Sequence, residues 1–409
     1  MFCEDTLGIC IDIGHKKATV GYIGDECPRY STASIAGSAI HGAMDIEYDS
    51  NTSPSDWYFG EALTSKYEDI RYHPILEKES IKNPEQYNCF VDYLLKKTRI
   101  VPKETALLHV DQNQNKSELK ELLQYVFETQ QMPAFFSVKK SILSLFANGR
   151  TTGVVLETGA NVTQIVPISE GYTLYKSLVS SNIGGDTLTS NILNHVEEKK
   201  GSPLLPHFCY QYTFDQEGSK KESALREKQA IDPSVLLFHK LRLAQEMKEL
   251  HFKVSIPTEE TIGEIINYDL PDGSQFNFAQ NRFGFAEIFF SDHSRTEKGE
   301  ASVQKMTLES INKTDIDLRD TLLSNIWVVG GNSLLGGFIE RYEKSLFQIA
   351  PQSARIKVYS PAKNIERVFA SWIGGSVLGS TGCFQNMWMS HREYQEDGLS
   401  IFKRKCGGF

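Results

Sequence analysis

Several features that would assign a protein to a familiar class are absent from this sequence of 409 residues. It has no apolar run of about 18 residues, the length that a membrane-spanning helix needs. None of its seven cysteines forms a C-x-x-C pair, so their spacing favours neither a disulfide framework nor a zinc site and indicates reduced thiols. The first six residues contain two acids and no base, unlike a secretory signal.

The sequence also has fewer basic than acidic residues. The formal net charge is −9 and the pI is near 5.7, which argues against strong intrinsic nucleic-acid binding through bulk electrostatics. A basic partner such as a histone tail stays compatible with this charge. The sequence has no clear basic nuclear-import cluster, so nuclear residence would depend on a partner or another signal. The length and the hydrophobic content of 40% predict a soluble globular chain of two or more domains.

One local pattern occurs twice. Residues 7–22 and 153–166 each contain an apolar run that ends in acid-X-Gly, followed by a second β-rich run. This pattern predicts a buried strand, a tight glycine turn and a returning strand. The two acids, Asp12 and Glu157, are about 145 residues apart, a separation of the size of a domain.

Such turns suit the binding of phosphate. Backbone N–H groups at Gly14 and Gly159 can approach a phosphate closely because no Cβ intervenes, and Asp12 and Glu157 can hold a hydrated cation beside it. Two ordinary hairpins would give the same pattern, so the turns alone leave both interpretations open. Further glycine turns favour a nucleotide cleft between two α/β lobes, and they contain Gly184, Gly330, Gly331 and Asn332.

Longer segments resemble those of the actin family: residues 144–153, 268–273, 315–319, 370–378 and 384–394. The resemblance runs from Leu7 to Cys406 and implies an actin-like two-lobed α/β fold, of the type shared with Hsp70 and sugar kinases. Shorter segments resemble nuclear actin-related proteins of chromatin remodellers, the fourth class in particular; they are residues 24–28, 132–136, 146–150 and 369–372.

The resemblance implies four subdomains. The first comprises residues 1–33, 63–147 and 370–409, the second residues 34–62, the third residues 148–183 and 302–369, and the fourth residues 184–301. Within the fourth, residues 211–226 are predicted to form a flexible insertion. Residues 38–56, which correspond to a polymerisation loop of actin, are acidic and polar, which is typical of a solvated mobile loop.

At the phosphate end of the cleft, several positions that correspond by resemblance to actin residues hold different residues here. Asp12, Gly14 and Gly159 retain the two turns, but His15 stands where actin has a serine, and Lys140 replaces the glutamine that positions the attacking water. Further departures are Thr19, Glu157, Ala160 and Gln164 around the phosphates, and Gln245 and Val368 on the base side.

These departures predict that ATP hydrolysis is slow or absent, because phosphoryl transfer depends on the positioning of the attacking water. The ammonium group of Lys140 would also compete with a divalent cation at Asp12 and Glu157, since it can pair with either carboxylate or with a phosphate. The expected ligand is ATP, with Mg²⁺ or with no metal, and an empty or collapsed cleft is the alternative. Lys248 and Glu249 retain the adenosine side.

A groove at the end of the molecule opposite the loop of residues 38–56 resembles that of actin more closely than this loop does. By resemblance it is lined by Phe146, Gly149, Tyr172, Val377, Leu378 and Met387. Apolar and flexible side chains beside a glycine suit an amphipathic helix, although core residues would give the same pattern. The implied partner is a scaffold helix of a remodeller ATPase or acetyltransferase subunit, shared with actin or another actin-related protein.

Three functions remain open on the sequence. The resemblance favours a non-enzymatic subunit of nuclear chromatin remodelling or histone acetyltransferase complexes, which supports transcription regulation and DNA repair. The alternatives are a filament-forming cytoskeletal ATPase and a subunit of a non-nuclear complex, such as the branched-filament nucleator or the dynein activator. The residues at Lys140, Glu157, Ala160 and Gln164 weigh against the filament-forming ATPase.

Overall fold

The duplicated pattern of the sequence forms the centre of each lobe in the computed structural model. The structure describes residues 7–40, 57–65, 67–77, 80–112, 116–214, 220–226, 231–256, 266–278, 281–292 and 301–406. Leu7–Ile13 and Lys17–Tyr22 form one antiparallel hairpin, and Gly153–Thr158 and Thr163–Ser169 form the other. The predicted strand-turn-strand repeat is confirmed.

Two six-stranded sheets extend these hairpins. The first has the order Met389–Ser390, Ala134–Lys139, Thr105–Asp111, Leu7–Ile13, Lys17–Tyr22 and Tyr30–Ala33. The second has the order Tyr172–Thr173, Thr163–Ser169, Gly153–Thr158, Ile326–Val329 and Val358–Tyr359, with Val179–Ser181 also paired to Thr163–Ser169. In each sheet the first strand of the hairpin also pairs in parallel with a buried, β-branched or leucine-rich strand, as expected for a sheet covered on both faces.

Helices cover the sheets and join the lobes. Their bounds are Glu61–Ser65, Pro84–Lys97, Lys116–Gln124, Lys140–Phe146, Gly185–Lys200, Pro233–His251, Asn281–Gly284, Val303–Asn312, Ile316–Leu323, Phe338–Ile349, Asn364–Val368, Ala370–Ser380, His391–Asp397 and Ser400–Lys405. None of the helices in the described ranges is both long and apolar enough to cross a membrane.

Each lobe has its own apolar core. In the first, Phe135, Phe136 and Trp372 are fully buried, and in the second, Phe338 and Tyr342 are. A small sheet stands apart from both, with the order Trp57–Tyr58, Ile35–Ala39 and Ile70–Pro74. It therefore extends beyond residue 62, the end of the predicted second subdomain.

The small sheet packs on the helix Pro233–His251 of the second lobe. Tyr72 and Val235 are buried in a shared apolar cluster. The backbone N–H of Tyr72 donates to Ser234 Oγ over 2.9 Å, and Arg71 Nε lies 3.0 Å from Asp232 Oδ2. These contacts connect the two lobes at a second place, apart from the hinge helices Lys140–Phe146 and Ala370–Ser380.

The structure corrects one expectation in the fourth predicted subdomain. Within residues 211–226, predicted as a flexible insertion, Tyr210–Phe214 and Lys220–Leu225 form an antiparallel hairpin. Two shorter hairpins pair Leu76–Glu77 with Ser80–Ile81 and Asn267–Asp269 with Gln275–Asn277. Most of the predicted mobile loop, residues 41–56, lies outside the described residues.

Candidate nucleotide-binding cleft

A cavity of about 590 Å³ lies between the two lobes, and both hairpin turns open onto it. Sites for small molecules commonly have volumes of about 300–1,000 Å³. The cavity is lined by nearly all of the cleft residues that the sequence predicts, namely Asp12, Gly14, His15, Lys140, Glu157, Gly159, Lys248, Glu249, Gly330, Gly331 and Asn332. The fold therefore brings most of the predicted cleft residues together here.

Gly184 is the exception, because the next residue, Gly185, lines the cavity instead. A Cβ on Gly184 would collide with the carbonyl of Ala160, so this glycine serves the close packing of a helix start on the second turn. The N–H groups of Gly185 and Asp186 donate to the carbonyls of Gly159 and Ala160 over 3.0 and 2.7 Å. The glycine of this turn that faces the cavity is Gly185.

The two hairpin turns have the same internal hydrogen bond. The N–H of Gly14 donates to the carbonyl of Lys17, and that of Gly159 to the carbonyl of Val162, each over 3.0 Å. Asn332 braces the second turn, since its amide donates to the carbonyl of Gly159 over 2.7 Å. These bonds occupy the two glycine N–H groups that the sequence predicts for phosphate, so a phosphate in the cleft would meet other groups of the two rigid turns.

Asp12 is buried at the end of its strand and is held by protein donors. Gln112 Nε2 donates to its Oδ1 over 2.5 Å, and the hydroxyl of Ser371 donates to its Oδ2. Burial raises the pKa of the Asp12 carboxyl, and the positive charge of Lys140 opposes that rise. No local sequence pattern indicates these donors, because Ser371 is 359 residues away from Asp12 along the chain.

Lys140 pairs with Glu157 across the cleft. Lys140 is the first residue of the helix Lys140–Phe146 in the first lobe, and Glu157 lies near the end of the strand Gly153–Thr158 in the second. The Glu157 side chain is 10% exposed, so water screens this pair only partly. Of the partners that the sequence allows for Lys140, the structure selects Glu157.

A second set of ion pairs joins the two sides of the cleft at Asp186. Lys16 Nζ lies 2.9 Å from Asp186 Oδ1, and His15 Nε2 lies 3.4 Å from Oδ2. Burial raises the pKa of the Asp186 carboxyl, but the hydrogen bond with His15 and the charge of Lys16 lower it more, and the net pKa is below its ordinary value. Neither Lys16 nor Asp186 was among the predicted site residues, although an acid directly after two glycines at a helix start was visible in the sequence.

The two residues predicted for the adenosine side of the cleft, Lys248 and Glu249, have different surroundings. Lys248 is buried, and its ammonium donates to the carbonyl of Gly185 over 3.1 Å and to Thr189 Oγ1 over 3.0 Å. Burial lowers the pKa of Lys248 to about 8. Glu249 is exposed and accepts a hydrogen bond from Gln245 over 2.7 Å.

Comparison with known proteins agrees with this geometry. The family model described as Actin matches residues 3–407. The chain belongs to the actin family. It is 28% identical to the Actin-related protein 4 of Oryza sativa subsp. indica and 29% identical to that of Arabidopsis thaliana, in each case over 98% of this chain and 99% of the relative. The predicted family and fold are confirmed.

The actin fold is a nucleotide-binding fold, and the residues of this cleft fit ATP. Basic side chains line the cavity and can balance a polyphosphate; they are Lys16, Lys17, Lys140, Lys248, Lys253 and Arg367. Nδ1 of His15 is buried and has no hydrogen-bond partner among the described residues, so a ligand atom could satisfy it.

The same cleft fits a divalent metal poorly. Asp12 and Glu157, the acids that the sequence predicts as Mg²⁺ ligands, both accept contacts from protein donors. Across the described part of this actin-family chain, no group of three or more His, Cys, Asp or Glu residues is arranged to hold a metal ion.

The predicted partner groove lies at the other ends of the hinge helices. Both helices begin at the cleft, where Lys140 and Ser371 line the cavity, so Phe146 and Val377 near their C-terminal ends lie away from it. The six predicted side chains or glycines are exposed or half-buried, with Tyr172 54% and Val377 43% exposed. Leu378 and Met387 pack partly on the first core.

Proposed function

We propose that this actin-related chain is an architectural subunit of nuclear chromatin remodelling or histone acetyltransferase complexes. In this role it pairs with actin or another actin-related protein on an amphipathic scaffold helix, and so supports transcription regulation and DNA repair. The observation that carries the proposal is the Lys140–Glu157 ion pair, which occupies the positions where actin arranges water and metal for hydrolysis. The full-length similarity to two plant proteins named Actin-related protein 4 supports the class.

A nucleotide in this proposal is a structural ligand. ATP bound to both hairpin turns would contact both lobes at once, and a ligand that binds only the folded state stabilises that state. The proposed role is to bind partners, and this role does not require hydrolysis of the nucleotide. Slow or absent hydrolysis therefore agrees with the proposed role.

The partner surface in this proposal is the groove beside Phe146 and Val377. Exposed apolar side chains around Gly149 offer anchors for one face of a helix, and aromatic anchors such as Tyr172 supply much of the binding energy in interfaces of this kind. The charge of −9 suits a partner with a basic helix or a basic histone tail.

Affinity purification of the tagged full chain from its own cells tests the proposal. We expect actin or another actin-related protein together with a remodeller ATPase or an acetyltransferase subunit. Val377→Asp should release these partners, because it places a charge in the apolar groove. The control is Ile316→Asp, which places the same charge at another exposed apolar residue, on a different helix. Recovery of branched-filament or dynein-activator subunits instead would overturn the proposal.

A further inference from the structure

We propose that the cleft binds ATP without a divalent cation, and that the ammonium group of Lys140 takes the place of the metal. This inference rests on the proposed nucleotide site and specifies the chemical form of its ligand. It is carried by the contacts that the cleft carboxylates make and by the position of Lys140 between the lobes.

The carboxylates that would hold a metal are engaged. Magnesium in nucleotide sites is usually held by one or two carboxylates, waters and phosphate oxygens in near-octahedral geometry. Here Asp12 accepts hydrogen bonds from Gln112 and Ser371, and Glu157 pairs with Lys140. A metal would have to displace Lys140 and rearrange the donors on Asp12.

The displacement would place two cations side by side. Lys140 lies close enough to Asp12 to influence its ionisation, and it touches Glu157 directly. A divalent ion at these carboxylates would therefore lie close to the ammonium, and like charges repel strongly in a partly buried site that water screens only in part. Either the metal or the ammonium can occupy this place, and the chain supplies the ammonium covalently.

The remaining basic side chains supply the charge that a metal would otherwise contribute. Lys16 lies at the first turn and reaches Asp186 at the start of the helix that braces the second turn. Lys16 and Lys140 both line the cavity, so a polyphosphate bound there would lie near both ammonium groups. Lysine acts in such sites as a compact point charge for phosphate.

Isothermal titration of the nucleotide-free full chain with ATP, in EDTA and in magnesium chloride, tests the inference. For the natural chain we expect a dissociation constant in EDTA that is about tenfold or more smaller than the apparent value in excess magnesium chloride, because magnesium complexes ATP in solution and the site takes the nucleotide without the metal. In Lys140→Gln we expect binding in EDTA to weaken by about tenfold or more and magnesium to restore it, because the loss of one charged contact has about this effect and frees Glu157 for a metal.

Glu157→Gln is the matched control variant. It breaks the same ion pair but keeps the ammonium group, so this variant should bind ATP no more tightly in magnesium than in EDTA, as the natural chain does. It also keeps the inference testable if Lys140→Gln does not fold, since unpaired Glu157 would then be buried.

Each outcome decides a different point. Binding by the natural chain that is about tenfold or more tighter in magnesium than in EDTA overturns the inference and leaves the proposed nucleotide site intact. An absence of ATP binding in both solutions overturns the inference and the nucleotide part of the proposed function together. The proposed partners are tested separately by the affinity purification.

Discussion

Asp186 connects the lobes through side chains whose importance emerges only in three dimensions. Its carboxylate contacts Lys16 and His15, which follow the first hairpin turn, while its own N–H is bonded to the second turn. The side chains of Lys16 and Asp186 are 33% and 28% exposed, so water screens part of their attraction. The pair therefore contributes modestly to stability and strongly to the relative position of the two turns.

Asp186→Asn should lower the free energy of unfolding by about 1 kcal/mol, because the substitution removes the charge and keeps the shape. Urea unfolding of the chain without nucleotide measures this change. Glu309→Gln serves as the control, since the Lys313–Glu309 pair on an exposed helix surface should contribute less than about 0.5 kcal/mol. Equal effects in the two variants would contradict a role for Asp186 in joining the lobes.

The buried position of Lys248 predicts that the free energy of unfolding depends on pH. Its pKa is about 8 in the folded chain because of burial, against an ordinary value of 10.5. Between these values the unfolded chain binds a proton that the folded chain has released, so the contribution of Lys248 to stability rises with pH in this window and is lost as pH falls through about 8. The gain should total about 3 kcal/mol at most.

Urea unfolding of the natural chain and of Lys248→Met, repeated from pH 7 to pH 10.5, measures this effect. The difference between the two unfolding free energies should grow toward high pH in favour of the natural chain. All other ionising groups are shared by the two chains and cancel in this difference. Parallel pH profiles would show that Lys248 keeps its proton in the folded state.

The sequence predicted those site residues that lie in a local pattern. Asp12, Gly14 and Glu157 could be found because acid-X-Gly at a strand end is visible in a few consecutive residues. Gln112 and Ser371 could not, because they meet Asp12 only through sheet pairing and helix packing over long separations in the chain.

At the scale of elements, the two hinge helices pack tightly against each other beside the first core. Lys140–Phe146 packs against Ala370–Ser380, and Gly374 lies directly against the backbone of Leu143. Leu143 is itself fully buried, so neither helix can move aside without disturbing the first core. The absence of a side chain at Gly374 is a condition of this packing.

Gly374→Ala should lower the free energy of unfolding by about 2 kcal/mol or more. Alanine favours a helix over glycine by about 1 kcal/mol, but here its Cβ would collide with the carbonyl of Leu143, and overpacking outweighs propensity. Thermal or urea unfolding measures the loss. Gly382→Ala is the matched control, because a Cβ there meets open space and should change stability by less than about 0.5 kcal/mol. A stabilising effect at Gly374 would contradict this packing.

The elements themselves were predictable where hydrophobic period and glycine turns agree, as in both central hairpins. The segment at 211–226 was not, because its charged composition favours a loop, whereas strand pairing between Tyr210 and Leu225 makes it a hairpin. Pairing with another strand is a contact that composition alone does not report.

At the scale of the whole molecule, the proposed function predicts that the chain does not behave as a filament-forming ATPase. In sedimentation at high protein concentration with ATP and magnesium, it should stay in the supernatant. Phosphate release should stay near the rate without protein, because Lys140 is paired with Glu157 where a hydrolytic site positions water. Robust magnesium-dependent release that Asp12→Ala abolishes would refute this prediction.

The small sheet lies beside the cleft, because Ile35 and Tyr72 line a neighbouring pocket that shares Lys17 and Gln245 with the main cavity. It is attached to the second lobe through Arg71 and Asp232, through the Tyr72 N–H and Ser234, and through the buried ring of Tyr72. A ligand that left the cleft through this side would require these contacts to break first. Its residence time would then be governed by a motion of the protein, and two nucleotides of different affinity would leave at similar rates.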